Sequence, residues 1–199
     1  MPTSLVHNWL SEIEKFTTGL SASAYVGTDR KPFKELYCHS DIIVTTYGIV
    51  RNDFDIIKHH EFLYLILDES QVIKNPESKT YKAAIKLSAL HRLVLTGTPI
   101  ENSLTDLWSQ MNFLNKGLLG NFQYFKANFV QPIETKGDVA QKRKLLQLIQ
   151  PFMLRRTKQQ VAKDLPDLTE QAIYCEMSEM QEKYYEEEKS KIRNVILET

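Results

Sequence analysis

Glu61-Phe62-Leu63-Tyr64-Leu65-Ile66-Leu67-Asp68-Glu69-Ser70-Gln71-Val72-Ile73-Lys74-Asn75 is the stretch whose reading decides the fold. Six apolar residues, Phe62 to Leu67, run straight into two carboxylates, Asp68 and Glu69. A short apolar run bounded by polar residues is the pattern of a strand buried on both faces, as in a parallel sheet. Ending it on Asp-Glu puts two anions at the carboxyl edge of the sheet, where open α/β folds bind ligands. At such an edge in nucleotide hydrolases, an Asp holds Mg²⁺ and a neighbouring carboxylate orients or deprotonates the attacking water. A strand followed by two solvated acids is also common, so the weight of the reading rests on what surrounds it.

The surroundings are those of an ordinary globular protein. The 199 residues suffice for one substantial core or two small ones, and 42% are hydrophobic and 25% charged. Formal net charge is zero, so any nucleic-acid contact has to be local, without a long-range basic field to steer it. The longest purely apolar run is six residues, far short of a membrane span. No charged-then-apolar leader opens the sequence, and Cys38 and Cys175 stand far apart. With no Cys-x-x-Cys and no His-x-x-x-His spacing, the expectation is a reducing, intracellular compartment and no structural zinc.

Upstream of the central strand, Leu5, Trp9, Ile13 and Phe16 repeat at helical spacing, and Thr3 or Ser4 is placed to cap that helix. Residue type alone reads this as a surface helix burying Trp9. Residues 21–27 read as one strand and the β-branched run Asp41–Tyr47 as a second. The second ends on Thr45, Thr46 and Tyr47, whose hydroxyls suit either an uncharged contact to a phosphodiester or the capping of a following helix. Downstream, Ser78 or the Asn75-Pro76 turn starts a helix over 77–87, and a fourth strand is predicted at Arg92–Leu95. It leads into Thr96-Gly97-Thr98-Pro99-Ile100-Glu101-Asn102, which leaves the hydroxyls of Thr96 and Thr98 at the same sheet edge as Asp68 and Glu69. From about 104 the chain turns helical. Leu104, Leu107, Trp108, Met111 and Leu114 mark one face, Phe122, Phe125 and Phe129 a second helix, and 138–149 a third. A last strand is expected at Gln171–Glu176, and Ser178 with Gln181 forms a capping box for a helix to the end.

Taken together these strings resemble the Swi/Snf-type family of ATP-dependent DNA translocases, within helicase superfamily two. Pro2–Trp9 resembles the family's first DNA-strand motif and Asp41–Tyr47 its second. Leu67-Asp68-Glu69-Ser70-Gln71, followed by Lys74-Asn75, resembles the Walker B box. Leu95–Asn102, continued by Leu107-Trp108, resembles the coupling motif. Leu154-Arg155-Arg156-Thr157-Lys158, then Leu165-Pro166, resembles the segment closing the first lobe. The resemblance implies an incomplete RecA-like three-layer α/β sandwich with a mainly parallel sheet over 1–103, a mostly helical protrusion and return segment over 104–170, and a final strand and helix over 171–199. It implies ATP and Mg²⁺ as cofactors in the parent protein, with Asp68 on Mg²⁺ through water, Glu69 positioning the hydrolytic water and Gln71 sensing the nucleotide. Thr96 and Thr98 relay that state, and Asn8, Thr45, Thr46 and Tyr47 contact the backbone of double-stranded DNA.

Some residues depart from the family pattern. Ser70 stands where Ala is more frequent, and Leu168 where Lys often stands. None of the seven glycines is followed by Lys, so no Gly-Lys-Ser/Thr phosphate loop is present. The expectation is a fragment lacking that loop and the second RecA-like lobe, binding ATP weakly and inactive alone, in a parent that is a DNA-dependent ATP hydrolase. Exposed sheet edges would then favour self-association. An alternative is a non-catalytic interaction module derived from the same lobe. An unrelated metal-dependent α/β enzyme ranks last because it leaves 96–102 unexplained. Compact spacing favours a bacterial origin and hence the nucleoid; a eukaryotic origin would mean the nucleus.

Overall fold

The computed structural model describes residues 1–97, 103–161 and 171–197. It contains two compact units, 1–154 and 155–199. In the first, β1 (Ala22–Tyr25) pairs in parallel with β2 (Ile42–Thr45), and β3 (Glu61–Leu67) pairs in parallel with β4 (Ser88–Val94). Both pairs obey the rule that parallel neighbours need a helical crossover. The β1–β2 crossover carries α2 (Phe33–His39), a helix the sequence patterning did not suggest, and β3–β4 is bridged by α5 (Lys79–Ala84). Helix α1 (Val6–Phe16) precedes β1. Two short helices, α3 (Tyr47–Asn52) and α4 (Phe54–Ile57), join the two pairs, and β2 does not hydrogen-bond to β3.

Local chemistry accounts for most of these boundaries. Thr46 accepts from the Ile49 amide and so caps α3, and Ser78 does the same for α5 through Tyr81. Helix α1 lacks a side-chain cap: Thr3 and Ser4 lie in a 3-10 turn ahead of it instead. Strand β4 begins at Ser88, four residues before the expected start, because pairing runs the full length of β3 from Glu61 opposite Ser88 to Leu67 opposite Val94. The central strand is not buried on both faces. Leu67 is buried, but Leu63, Tyr64 and Ile66 are exposed, as are His91 and Leu93 opposite the last two. The face carrying Leu65 and Leu67 meets the larger cluster, and on the other face Phe62 alone packs against the smaller one.

That core crosses residue 104 without a break. Helix α6 (Leu104–Leu114) brings Leu107, Trp108, Met111 and Phe113 against Leu67, Ile73 and Tyr81. Helix α7 (Phe122–Phe125), capped by Asn121, runs on as a π-wound segment, Lys126–Thr135, and buries Phe125 and Phe129 in the same cluster. The wide winding surrounds Pro132, which has no N–H for an α-helical bond. Helix α8 (Val139–Ile149), capped by Asp138, closes the cluster with Leu145 and Ile149. A smaller cluster of Tyr25, Phe33, Leu36, Ile57 and Leu87 lies between the strand pairs and α2.

The second unit contains α9 (Lys158–Val161) and α10 (Glu179–Leu197). Gln181 accepts from the Ser178 amide, as the capping box requires of its glutamine. The strand expected at Gln171–Glu176 does not form: among the described residues, 171–178 have no regular secondary structure.

Candidate functional site

Strand β3 delivers Asp68 and Glu69 to its carboxyl end, and the backbone then turns sharply. Glu69 has φ 51° and ψ 54°, the one non-glycine left-handed residue among those described. Such a conformation costs on the order of 1–3 kcal/mol and persists only where its surroundings impose it. Here the turn is held from both sides. The Leu95 amide donates to Leu67 O and the Ser70 amide to Leu95 O, extending the β3–β4 ladder past the acids. Ser70–Ile73 then form a 3-10 turn, and Ser109 Oγ of α6 donates to Lys74 O at 2.7 Å. The helical segment after 104 therefore braces the acidic corner.

The carboxylate of Asp68 is held at both oxygens. Trp9 Nε1 of α1 donates to Oδ2 at 2.7 Å, and the Glu69 amide donates to Oδ1 at 2.9 Å. Tyr47 Oη donates to the Asp68 carbonyl at 2.7 Å. Burial, with the negative charges of Asp68 and Glu69 nearby, pushes the Tyr47 phenol well above its ordinary value and keeps it a donor. Gln71 Nε2 donates to Glu69 Oε2 at 2.8 Å, and Thr96 Oγ1 reaches Gln71 Oε1 at 3.3 Å, a long contact for a hydroxyl. Glu69, Gln71 and Thr96 thus form a chain across the ends of β3 and β4. Thr98 lies outside the described residues, as do Pro99–Asn102, Leu165-Pro166 and Leu168.

The four residues expected at DNA fall into two groups. Asn8 is exposed on α1. Thr45 is partly buried and donates to Tyr25 O at 2.7 Å. Thr46 and Tyr47 are buried, one capping α3 and the other tied to Asp68. Their side chains are internal ties rather than surface contacts, because capping and a buried carbonyl claim their hydroxyls first. Trp9 is the participant that residue patterning missed. It lies 59 positions from Asp68, and helical spacing marks it only as apolar.

The arrangement can do recognisable chemistry. A half-buried carboxylate with fixed orientation suits a hard cation that keeps most of its waters, as Mg²⁺ does. A second carboxylate one residue on, turned by the left-handed backbone, is placed to accept a proton from water. Among the described residues no three His, Cys, Asp or Glu side chains gather to hold a metal unaided. The metal side of a nucleotide site fits these residues; the phosphate side, which needs the Gly-Lys-Ser/Thr loop, does not.

Parallel strands crossed by helices, an acid pair at the strand end and a helical segment bracing it define an incomplete RecA-like α/β lobe. The chain matches the SNF2-related domain family over residues 1–199 and belongs to it. It is 37% identical to the TATA-binding protein-associated factor MOT1 of Saccharomyces cerevisiae over 98% of its length, covering 11% of that protein. It is 39% identical to the putative ATP-dependent helicase/translocase YwqA of Bacillus subtilis, covering 94% of this chain and 21% of YwqA. Among solved structures, the Sulfolobus solfataricus SWI2/SNF2 ATPase core in complex with dsDNA superposes with a TM-score of 0.74 at 40% identity, covering the whole chain and 42% of that core. The chain therefore spans between about a tenth and two fifths of the proteins it matches. Relatives of nearly equal identity in yeast and Bacillus give no preference for a bacterial origin.

Proposed function

We propose that these residues are part of the motor of an ATP-dependent double-stranded-DNA translocase or remodeller. The observation that carries the reading is the acid pair at the end of β3, with the left-handed Glu69 flanked by the β3–β4 ladder and the turn after it tied to α6. In this reading Asp68 holds Mg²⁺ through water. When bound, Mg²⁺ neutralises charge on the transferring phosphoryl group. Glu69 orients the attacking water and accepts its proton; Gln71 fixes the Glu69 carboxylate and, with Thr96 and Thr98, passes the state of the site to β4 and the loop after it. Asn8 contacts the DNA backbone from α1, with Thr45 beside it, while Thr46 and Tyr47 hold the β2–α3 turn in place. Backbone contacts of this kind read no sequence, which suits a motor moving along any duplex.

Complementation is part of the reading. A phosphate loop and an arginine finger have to come from residues beyond these 199, and losing the finger alone costs roughly 10³–10⁵ in rate for related hydrolases. The isolated chain is expected to show no ATP turnover, and its exposed residues Leu63, Tyr64, Ile66, Leu90 and Leu93 favour self-association at high concentration. DNA as the partner places the protein inside the cell, in nucleoid or nucleus.

The test is ATP hydrolysis by the full-length protein, with and without duplex DNA, beside Glu69→Gln. Removing the base should lower turnover by about 10²–10⁴ while nucleotide still binds. Absence of DNA-stimulated turnover in the wild type would turn the reading toward a non-catalytic interaction module built on the same lobe.

A further inference from the structure

Trp9 is the one large aromatic residue near the acid pair whose identity packing does not explain. Its ring is only partly buried, and it belongs to neither of the two hydrophobic clusters that hold the unit together. A leucine or phenylalanine would serve an amphipathic surface helix equally well. What Trp adds is an indole N–H, a donor with no acceptor function. That N–H lies 2.7 Å from Asp68 Oδ2, the short distance expected when the acceptor is charged.

The other side of Asp68 is equally constrained. Oδ1 takes the Glu69 amide at 2.9 Å, and the carbonyl takes the Tyr47 hydroxyl at 2.7 Å. With one donor on each carboxylate oxygen, the carboxyl plane cannot rotate, and a lone pair on each oxygen remains for another partner. Two segments thus converge on this residue, α1 through Trp9 and the start of α3 through Tyr47. Position 8, next to Trp9 on α1, is the exposed Asn8.

We infer that Trp9 is a positioning residue for the metal-binding carboxylate, orienting Asp68 through the Nε1–Oδ2 hydrogen bond and linking it to the helix that presents Asn8. The inference rests on the reading of Asp68 as the Mg²⁺ ligand. Hydrogen-bond partners behind a metal ligand fix its orientation, and their loss typically weakens metal binding 10- to 100-fold.

The experiment uses the full-length protein with ADP and Mn²⁺ as the probe, free Mn²⁺ being counted by electron paramagnetic resonance. Three variants are compared with wild type: Asp68→Asn, Trp9→Phe, and Trp9 replaced by benzothienylalanine, which keeps the ring's shape and exchanges N–H for sulfur. The expected result is a loss of Mn²⁺ binding in Asp68→Asn and a roughly tenfold higher half-saturation in both Trp9 variants. The isosteric variant should keep the wild-type melting temperature, so a general loosening of the fold would not produce its shift. Hydrolysis should follow the same pattern: a higher Mg²⁺ requirement with kcat restored at saturating metal. Wild-type Mn²⁺ binding in the isosteric variant, with Asp68→Asn defective, would overturn the role of Trp9 and leave the site standing. Unchanged binding in Asp68→Asn would overturn the metal site itself, and the role of Trp9 with it.

Discussion

Trp108 and Trp9, the two tryptophans of the chain, each donate an indole N–H in opposite settings. Trp108 donates to Gly120 O at 3.2 Å from inside the large cluster, its ring 5.1 Å from Phe122 and close to Tyr81. Trp9 donates to a carboxylate at 2.7 Å from outside both clusters. The helical region uses its aromatic residues to exclude water and its polar tips to satisfy loops. The strand-end region uses an aromatic residue to aim a charge. One region holds most of the buried core and the other the acid pair, and α6 joins them through Ser109 and the turn after Glu69.

The largest effect should come from truncating the packed tryptophan. Trp108→Ala removes a side chain only 6% exposed and leaves a cavity lined by Tyr81 and Phe122, at a cost of about 3–5 kcal/mol. Trp9→Ala should cost no more than about 1.5 kcal/mol, since water can replace its donor at a partly exposed site. Urea unfolding of the two variants measures the contrast directly. Equal losses would mean that Trp9 is a packing residue after all and would erase the distinction between the regions.

The same contrast explains what residue patterning could and could not reveal. The helical stripe Leu104–Leu114 was legible because burial on one face leaves a period in sequence, and Phe62–Leu67 because it is an unbroken apolar run bounded by charges. Parallel pairing of β3 was expected from a run read as buried on both faces, and the pairing holds although that burial does not. Exposure of Tyr64 and Ile66 was not, since an apolar strand reads alike whether or not anything covers its second face. The full length of β4 was hidden because Ser88-Ala89-Leu90-His91 has no strand pattern of its own and is drawn into the sheet by its neighbour. The predicted strand at 171–176 failed for the converse reason, a strand-like pattern that no described neighbour draws into a sheet. In the candidate site, Asp68, Glu69 and Thr96 come together because they follow the ends of paired strands, whereas Gln71 was singled out by the family resemblance alone. Trp9 was missed because a hydrogen bond across 59 residues leaves no local period.

Tyr47 offers a finer probe of the strand-end region. Tyr47→Phe removes the donor to the Asp68 carbonyl and should cost about 0.5–1.5 kcal/mol. A pH dependence separates this bond from simple packing. The folded phenol is held above its ordinary value of 10.0, chiefly by burial. Above that value the unfolded chain loses the proton while the folded chain keeps it, so stability falls as pH rises through this range. Below it the contribution is fully present. Wild type should therefore lose stability more steeply than Tyr47→Phe between about pH 10 and 11.5, as read by urea unfolding. Parallel curves would show that Tyr47 ionises normally and that Asp68 is less shielded on its backbone side than the geometry indicates.

Ser70 should give the smallest effect, of opposite sign. Its hydroxyl is fully buried immediately after Glu69 and has no hydrogen-bond partner among the described residues. A buried, unpaired hydroxyl is a penalty that Ala would not carry, so Ser70→Ala should raise stability by about 1 kcal/mol. Removing one oxygen leaves too little space for a large cavity term, and the Ser70 amide keeps its bond to Leu95 O. Turnover of the full-length protein decides what the hydroxyl is for. Unchanged hydrolysis alongside the gain in stability would make Ser70 a defect at the seam between the packed region and the acid pair. A fall in hydrolysis would mean that the hydroxyl finds its partner only in the assembled site, and the boundary between the two regions would move one residue into the turn.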